Sequence, residues 1–203
     1  MTSMAPAGLV LAAGLSLRLG SPKALVEVGG VPLVDWACRH LLEAGCGVVV
    51  VVTNEHLRST LGALTSRAQM VTNPQPENGR TGSLQVGLNH LLSQCPAPQR
   101  VVMAPVDRPG WRAGVVRNLL LNTGSSCPVA EGRRGHPVVL DNEAVRSVLE
   151  APSDVPLRDL VDFQPVEVDA PWLGLNVDTP EQLAELRRNE GALLAYFTGG
   201  EGI

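Results

Sequence analysis

The chain has 203 residues, a formal net charge of −4, and a composition that is 44% hydrophobic but only 3% aromatic. This weak acidity without a basic run argues against nucleic acid as the main partner and against a membrane surface, although a few placed cations can still hold a nucleotide. The apolar residues are mostly Val, Leu and Ala, which is typical of a valine-rich sheet covered by helices. Length and composition together predict a single α/β domain over residues 1–203.

The cysteines and the N-terminus predict a cytoplasmic protein. Cys38, Cys46, Cys95 and Cys127 form no C-x-x-C pair and no zinc-type spacing, which favours buried free thiols in a reducing compartment. The apolar stretch near the N-terminus, Gly8–Ala13, is too short for a signal peptide or a membrane span.

Strands and helices alternate in the first half of the chain. An apolar run at Gly8–Ala12 predicts a strand, and a glycine-rich loop follows it. After Pro32, apolar residues recur at helical spacing up to Ala44. Five consecutive valines, Val48–Val52, predict a strand that is buried on both faces. The remaining predicted elements of this half are a helix near Glu55–Leu64, a strand near Gln69–Thr72, a loop at Asn73–Gly82 and a helix over about Ser83–Ser93.

The second half continues the alternation and ends in a capped helix. Arg100–Pro105 is predicted as a strand that carries Asp107 at its C-terminal end. Thr179, Pro180 and Gln182 form a capping-box pattern, which predicts a last helix to about Asn189. Residues from about 191 to 203 are predicted to form a loosely ordered tail. Between these lie a helix near Ala113–Leu121, a strand near Cys127–Ala130 with an antiparallel return strand at His136–Leu140, helices at Asn142–Glu150 and Leu157–Val161, and strands at Val166–Val168 and Leu173–Val177.

This order of elements predicts right-handed βαβ units around a mainly parallel sheet with one antiparallel hairpin insertion. Ligands on such sheets bind at the carboxyl ends of the strands. The rule points to the loop after Ala12, to the Asn73–Gly82 loop and to Asp107.

The loop after the first strand combines small residues with two cations. Small residues let backbone N–H groups approach a phosphate closely, and the cations can neutralise a polyphosphate. The loop is neither a Walker A sequence nor the dinucleotide-binding G-x-G-x-x-G pattern. Judged on its glycines alone, a plain strand-to-helix turn explains it equally well. The residues in question are Ala12, Ala13, Gly14, Arg18 and Lys23.

Five segments in order carry a family resemblance that covers nearly the whole chain. The pattern L-A-A-G-x-S-x-R-x-G-x-P-K at Leu11–Lys23 resembles the opening of the pyrophosphorylase-type nucleotidyltransferases. Within that group it is most similar to the molybdenum cofactor cytidylyltransferases, which carry a MobA-like NTP transferase domain. The other matching segments are Asn73–Leu84, Pro105–Pro109, Gly132–Pro137 and Leu175–Pro180.

The resemblance implies a three-layer Rossmann-like nucleotidyltransferase fold and a metal-dependent reaction. An acceptor phosphate, that of molybdopterin, would attack the α-phosphorus of CTP and release pyrophosphate. The metal would be Mg²⁺, with Mn²⁺ as the alternative, and a transient contact with a molybdoenzyme is a further expectation. No protein nucleophile is needed, because positioning and charge neutralisation suffice.

The resemblance also assigns roles to individual residues. Asp107 and Asp178 are the expected metal ligands, with Asn176 as a weaker candidate for a further oxygen donor. Arg18 and Lys23 would hold the β- and γ-phosphates, and together with Asp107 they form the expected catalytic set. The acceptor would contact His136 and Arg158. The residues expected to bind the nucleotide are Leu11, Ala12, Ala13, Gly14, Arg18, Lys23, Asn73, Gly82 and Ser83.

Each assignment has a purely structural alternative. Asp107 is also a plausible helix cap, and Asp178 a loop carboxylate beside a capped helix. The cations Arg18 and Lys23 also fit a solvated surface, and His136 fits a packed strand.

Two features bear on the identity of the substrates. Ala13 stands where the related guanylyltransferases carry a second glycine, and its Cβ narrows the space for a purine, which favours CTP. Arg108 stands where the family usually has glutamine, and Ser153–Arg158 lacks both glycines of the family's Gly-Asp-x-Gly-x-Arg segment. The acceptor therefore stays open. Transfer to a sugar phosphate or another phosphorylated small molecule, GTP-dependent molybdopterin guanylyl transfer, and a non-catalytic nucleotide- or cofactor-binding module are the alternatives.

Overall fold

The computed structural model describes residues 5–65, 67–94 and 98–199, so that Cys95 lies outside the described residues. No helix within these ranges is both long and apolar enough to cross a membrane. The strands are β1 (Ala7–Leu11), β2 (Glu27–Val28), β3 (Val31–Pro32), β4 (Val48–Thr53), β5 (Gln69–Thr72), β6 (Val101–Pro105), β7 (Ser126–Ala130), β8 (Arg133–Arg134), β9 (Val138–Leu140) and β10 (Gln164–Glu167). The helices are α1 (Leu33–Glu43), α2 (Arg58–Leu64), α3 (Gly79–Leu92), α4 (Ala113–Leu120), α5 (Asn142–Glu150), α6 (Leu157–Leu160), α7 (Pro180–Arg188) and α8 (Glu190–Thr198), with 3₁₀ turns at Lys23–Leu25 and Pro76–Asn78.

A mainly parallel sheet with an antiparallel insertion forms the centre of the molecule, as the alternation of elements predicts. Within the described ranges its order is β10-β7-β9-β6-β1-β4-β5, with β8 paired to β7. β1 lies between β4 and β6 and is parallel to both. Among the described strands of this central sheet, the antiparallel ones are β9, which pairs with β6 and β7, and β8, which pairs with β7. β2 and β3 form a separate antiparallel pair.

Helices cover both faces of the sheet, which gives the predicted three-layer α/β architecture. Successive residues of β1 point to opposite faces, as the strand period requires. Val10 belongs to the cluster beneath α1, α4, α7 and α8, and Leu9 and Leu11 belong to the cluster beneath α3 and α5. The continuous valines of β4 divide between the same two clusters, which explains why this strand has no polar face.

The carboxyl ends of the three central strands meet at one edge of the sheet. Val106 N–H donates to the Leu11 carbonyl (3.1 Å), so that the segment after β6 lies beside the end of β1. Asn54 follows β4, is buried, and its Nδ2 donates to the carbonyl of Ala13 (3.1 Å). These bonds hold the loop after β1 next to the segment that carries Asp107.

Two predictions about the C-terminal region were wrong. Leu173–Val177 is not a strand but a series of turns, in which Leu175 N–H donates to the Trp172 carbonyl (2.8 Å). Its alternating apolar residues are buried against the core without a neighbouring strand. The predicted tail, from about residue 191 to 203, instead begins with α8, whose Leu193 and Phe197 lie four residues apart and are both buried. Residues 200–203 of this predicted tail lie outside the described residues.

Two smaller differences concern the loops that border the site. α3 begins at Gly79, four residues before the predicted start, and a 3₁₀ turn precedes it. The β2–β3 hairpin was not predicted. Its turn residues Gly29 and Gly30 have φ of 60° and 74°, as a two-residue turn with left-handed backbone requires.

His40 is buried in an aromatic cluster on the α1 side of the sheet. It is 2% exposed and lies 5.1–5.5 Å, between ring centroids, from Trp36, Trp111 and Phe197. Its Nε2 has no hydrogen-bond partner among the described residues. Burial lowers the pKa of His40 from 6.5 to about 4, so the folded protein keeps this imidazole neutral.

The His40 environment predicts acid-sensitive stability. Between pH 6.5 and pH 4, His40 binds a proton in the unfolded chain but not in the folded protein. The free energy of unfolding therefore falls as the pH falls through this range. We expect the wild-type protein to lose about 2 kcal/mol more than His40→Phe between pH 7 and pH 4.5. Urea unfolding of both proteins at each pH measures the difference, and equal losses would contradict the burial of a neutral imidazole.

Candidate active site

A cavity of about 180 Å³ lies at the carboxyl ends of β1 and β6, and we name it the first cavity. The loop after β1 forms one wall and the start of α3 forms the opposite one. Asp107 closes the floor between them. The residues that line the first cavity are Leu11, Ala12, Ala13, Gly14, Ser16, Lys23, Ala24, Leu57, Pro76, Gly79, Arg80, Ser83, Pro105, Val106 and Asp107.

The loop after β1 turns back so that Lys23 faces the acids. Ser16 adopts a left-handed backbone with φ 53°, and Gly20 does so with φ 76°. The Ser16 hydroxyl accepts a hydrogen bond from the Lys23 backbone N–H (3.2 Å), which fixes the far end of the loop. Among its small residues Gly14 is exposed, and a Cβ added there would meet no atom within 4 Å.

Lys23 lies between the two predicted metal acids. Its Nζ contacts Asp178 Oδ1 and is 3.8 Å from Asp107 Oδ2. The Arg18 guanidinium contacts the other oxygen of Asp178. The hydrogen bond from Lys23, together with the charge of Arg18, lowers the pKa of Asp178 below its ordinary value, so this carboxylate is ionised at neutral pH.

The segments that carry the two acids are held together by their backbones. Val177 N–H donates to the Asp107 carbonyl (2.9 Å), one residue before Asp178. Gly110 permits this close approach, because a Cβ added there would lie 1.7 Å from the Trp172 carbonyl oxygen. The predicted capping box at Thr179 is confirmed, and Gln182 Oε1 also accepts from the Asp178 N–H (2.9 Å). The separation of the acids is therefore set by the fold.

The donor atoms at this point are suited to a small divalent metal. Asp107 Oδ1 and Asn176 Oδ1 are buried and have no hydrogen-bond partner among the described residues. Mg²⁺ prefers hard oxygen ligands and takes one or two carboxylates, with phosphates and water completing the shell. The described residues contain no group of three or more His, Cys, Asp or Glu that suits a metal, so a bound nucleotide would have to supply part of the shell.

A second cavity of about 770 Å³ adjoins the first, and we name it the second cavity. It is lined by both predicted acceptor residues, His136 and Arg158, and by Arg134. Burial, with the charges of Arg80 and Arg108, lowers the pKa of His136 to about 3, so the imidazole is neutral. Arg108, which replaces the family's usual glutamine, lines neither cavity but contributes its charge to this lowered pKa.

The structure brings most of the predicted residues to the two cavities, but Asp178, Arg18, Asn73, Gly82 and the weaker candidate Asn176 line neither of them. Asp178 contacts Lys23 instead. Arg18 contacts Asp178 and does not line the first cavity. Asn73 lies behind the start of α3, where its Nδ2 donates to the hydroxyl of Ser83 (3.0 Å). Gly82 packs against the side chain of Asn78, and a Cβ there would lie 3.0 Å from it. Asn73 and Gly82 thus position α3.

Sequence reasoning missed two residues of the site. Asn54 holds the carbonyl of Ala13, and Arg80 lines both cavities. Asn54 could have been predicted as a site residue, because it is a polar residue directly after a buried valine strand. Arg80 lies inside the second matching segment, but the family pattern quoted for that segment contains no cation.

Comparisons with known proteins agree with this description. A family model described as MobA-like NTP transferase domain matches residues 8–168. Nicotine blue oxidoreductase of Paenarthrobacter nicotinovorans is 32% identical over 205 aligned positions, 88% of this chain and 95% of that protein. The molybdenum cofactor cytidylyltransferase of Escherichia coli K12 is 25% identical over 183 positions, 85% of this chain and 91% of that protein. Several matching proteins are named as molybdenum cofactor guanylyltransferases. Rv0371c from Mycobacterium tuberculosis H37Rv shares the fold, with a TM-score of 0.76 and 23% identity over 92% of this chain and 98% of that one.

Proposed function

This chain belongs to the family of MobA-like NTP transferase domains, and on that premise we propose that it transfers CMP from CTP to the phosphate of molybdopterin and releases pyrophosphate. The observation that carries the proposal is the position of Lys23 between Asp107 and Asp178, at the floor of a cavity that adjoins a second, larger one. A transferase with two substrates needs such a pair of cavities, with charge neutralisation where they meet.

The proposed reaction divides the work between the two cavities. CTP binds in the first cavity, with its base against the small residues of the β1 loop and its phosphates toward Lys23 and Arg18. The acceptor binds in the second cavity, and its phosphate oxygen forms a bond to the α-phosphorus while the bond to the β-phosphate breaks. The electron pair leaves with pyrophosphate, whose charge Lys23 and Arg18 neutralise.

The metal of the proposal is Mg²⁺, with Mn²⁺ as the alternative. Asp107 and Asp178 would hold it, with Asn176 as a further oxygen donor, and when bound it supplies charge neutralisation at the phosphates. A crystal structure of Rv0371c is described as a complex with manganese. At 19% identity that likeness concerns the fold alone.

The choice of CTP over GTP is proposed to depend on Ala13. Ala13 lines the first cavity, and its Cβ takes up space that a larger base would need. We expect Ala13→Gly to raise kcat/KM for GTP relative to CTP by about tenfold, since one methyl group in a pocket discriminates by roughly 10–200-fold. Competition between the two nucleotides in one reaction measures this ratio. An unchanged ratio would place base selection elsewhere.

The direct test is pyrophosphate release from each of the four NTPs with Mg²⁺, in the presence and absence of molybdopterin. Release with CTP only when molybdopterin is present would support the proposal. Release with a sugar phosphate in place of molybdopterin would correct the acceptor, and a preference for GTP would correct the nucleotide. Binding of nucleotide without release for any acceptor in the panel would favour a non-catalytic binding module.

Hydride transfer is a second candidate, because the relative with 32% identity is named an oxidoreductase. The first cavity suits a nucleoside phosphate in either case. Two carboxylates facing one ammonium group have a direct use in phosphoryl chemistry and none in hydride transfer, which is why we prefer the transferase. Oxidation of NADH or NADPH by nicotine blue, followed by absorbance in the same preparation, tests this candidate. Oxidation without any pyrophosphate release would favour it.

The remaining parts of the proposal concern the setting of the protein. We propose that residues 1–203 act as one domain in the cytoplasm and that the product passes to a molybdoenzyme through a transient contact. Co-purification of a molybdoenzyme only when the nucleotide product is present would support such a contact.

A further inference from the structure

Arg80 lies where the first and second cavities meet. It is the second residue of α3, and among the described residues only Gly79 and Arg80 line both cavities. Since Gly79 has no side chain, Arg80 supplies the only side chain at the junction within that part of the chain.

The guanidinium of Arg80 links the acid of the first cavity to the histidine of the second. Its Nη2 is 3.6 Å from Asp107 Oδ2, and 46% of its side chain is exposed. On the side of the second cavity, the positive charge of Arg80 contributes to the low pKa of His136. One cation is therefore close to both the proposed metal acid and the acceptor side.

The backbone beneath Arg80 is anchored from two directions. The Thr81 hydroxyl donates to the Val155 carbonyl (2.6 Å) in the loop that borders the second cavity. The Ser83 hydroxyl donates to the Gly79 carbonyl (3.1 Å) and is itself held by Asn73. The first turn of α3 is thus fixed to the loop that contains Val155 and to the end of β5. The long side chain of Arg80 stays free to reach a ligand.

We propose that Arg80 is a catalytic residue that binds the α-phosphoryl group as it passes from the nucleotide to the acceptor. The inference rests on the proposed function, because the α-phosphorus must lie where the two substrates meet. A guanidinium offers two parallel N–H donors to phosphate oxygens, whose charge grows as the bond to pyrophosphate breaks. Arg80 would contribute only hydrogen bonds to the phosphoryl oxygens and would form no covalent bond with either substrate.

The chain contains a matched control for this residue. Arg39 pairs with Asp35 at 2.7 Å, with side chains 48% and 19% exposed, and lies on α1 away from both cavities. Arg80 and Asp107 have almost the same exposure, 46% and 18%. Arg80→Met and Arg39→Met therefore remove equivalent surface cations, and only the first lies at the junction.

The first experiment compares single-turnover transfer from CTP with transfer from its α-phosphorothioate. We expect Arg80→Met to lower the rate with CTP by about 100-fold, in the range found for a lost transition-state donor, with Arg80→Lys intermediate. Arg39→Met should stay within about twofold of wild type. Sulfur at the α-phosphorus should slow wild type more than Arg80→Met. Sulfur weakens the contact between the α-phosphoryl group and the Arg80 guanidinium, and the variant already lacks this contact. An equal sulfur effect in both proteins would overturn the inference.

The second experiment does not require transfer. Calorimetry with CMP and cytidine, repeated with the other nucleoside monophosphates and nucleosides, measures how much the α-phosphate adds to binding. We expect this preference to fall about tenfold in Arg80→Met and to be unchanged in Arg39→Met. Wild-type protein that prefers CMP but releases no pyrophosphate would contradict the proposed function alone. The same phosphate preference in wild type and Arg80→Met would contradict the role of Arg80 alone.

Discussion

Asp107→Asn is expected to slow nucleotidyl transfer by about 1,000-fold, because it removes one of the two carboxylates proposed to hold the metal. Asp107 is the only carboxylate among the described residues that lines the first cavity. Its Oδ1 is buried without a partner, so the carboxylate has a free oxygen for a cation. Asn keeps the size of the side chain and one oxygen but removes the charge. Pyrophosphate release at saturating CTP measures the loss, and higher Mg²⁺ should restore only part of it.

The matched control for this change is Asp35→Asn. Asp35 also pairs with an arginine and is 19% exposed, against 18% for Asp107, but it lies on α1 outside both cavities. We expect its rate to stay within about twofold of wild type, as is usual for an exposed ion pair. Equal rates for Asp107→Asn and wild type would reduce Asp107 to a structural carboxylate, the alternative that the sequence leaves open.

Lys23→Met is expected to have two effects of opposite sign. Transfer should fall by about 100-fold or more, because the cation that neutralises the leaving pyrophosphate is lost. In the absence of nucleotide, binding of a divalent metal should become tighter, because Lys23 no longer competes for Asp178 and Asp107. Electron paramagnetic resonance of Mn²⁺ in titrations without nucleotide measures the second effect. Weaker Mn²⁺ binding in the variant would show that Lys23 only organises the acids.

Lys23 offers a further measurement because it is the only lysine of the chain. Amine-directed labelling therefore reports on this side chain and the N-terminus alone. Mg²⁺ with CTP should protect Lys23 from the reagent, and cytidine should protect it less, because the phosphates are the proposed partners of the ammonium group. Equal protection by both would place the phosphates away from Lys23.

The sequence predicted the parts of the site that depend on local order. Asp107 follows a buried strand, and the carboxyl ends of neighbouring parallel strands meet at one edge of the sheet. The capping box at Thr179 fixed the start of the last helix from a few residues, whereas Asp178 just before it was expected from the family resemblance. These two acids are 71 positions apart in the sequence, and the hydrogen bond from Val177 N–H to the Asp107 carbonyl holds their segments side by side at the same cation.

The sequence did not predict features that depend on distant packing. Leu173 and Val177 are apolar because they are buried. A turn segment that packs against the core gives the same alternation of apolar residues as a buried strand. Arg80 lines the second cavity, and the next residue, Thr81, donates to the Val155 carbonyl, a contact between residues 74 positions apart. Spacing within one segment carries no information about such contacts.

The proposed site moves a nucleotidyl group from an NTP to an acceptor. The most direct test uses CTP labelled at the α-phosphorus in one reaction and at the γ-phosphorus in another, with Mg²⁺, molybdopterin and the wild-type protein. We expect the α-label to appear in a new molybdopterin–cytidine product and the γ-label in pyrophosphate, in equal amounts. Both labels remaining in CTP, while the same protein oxidises NADH or NADPH with nicotine blue, would contradict this expectation.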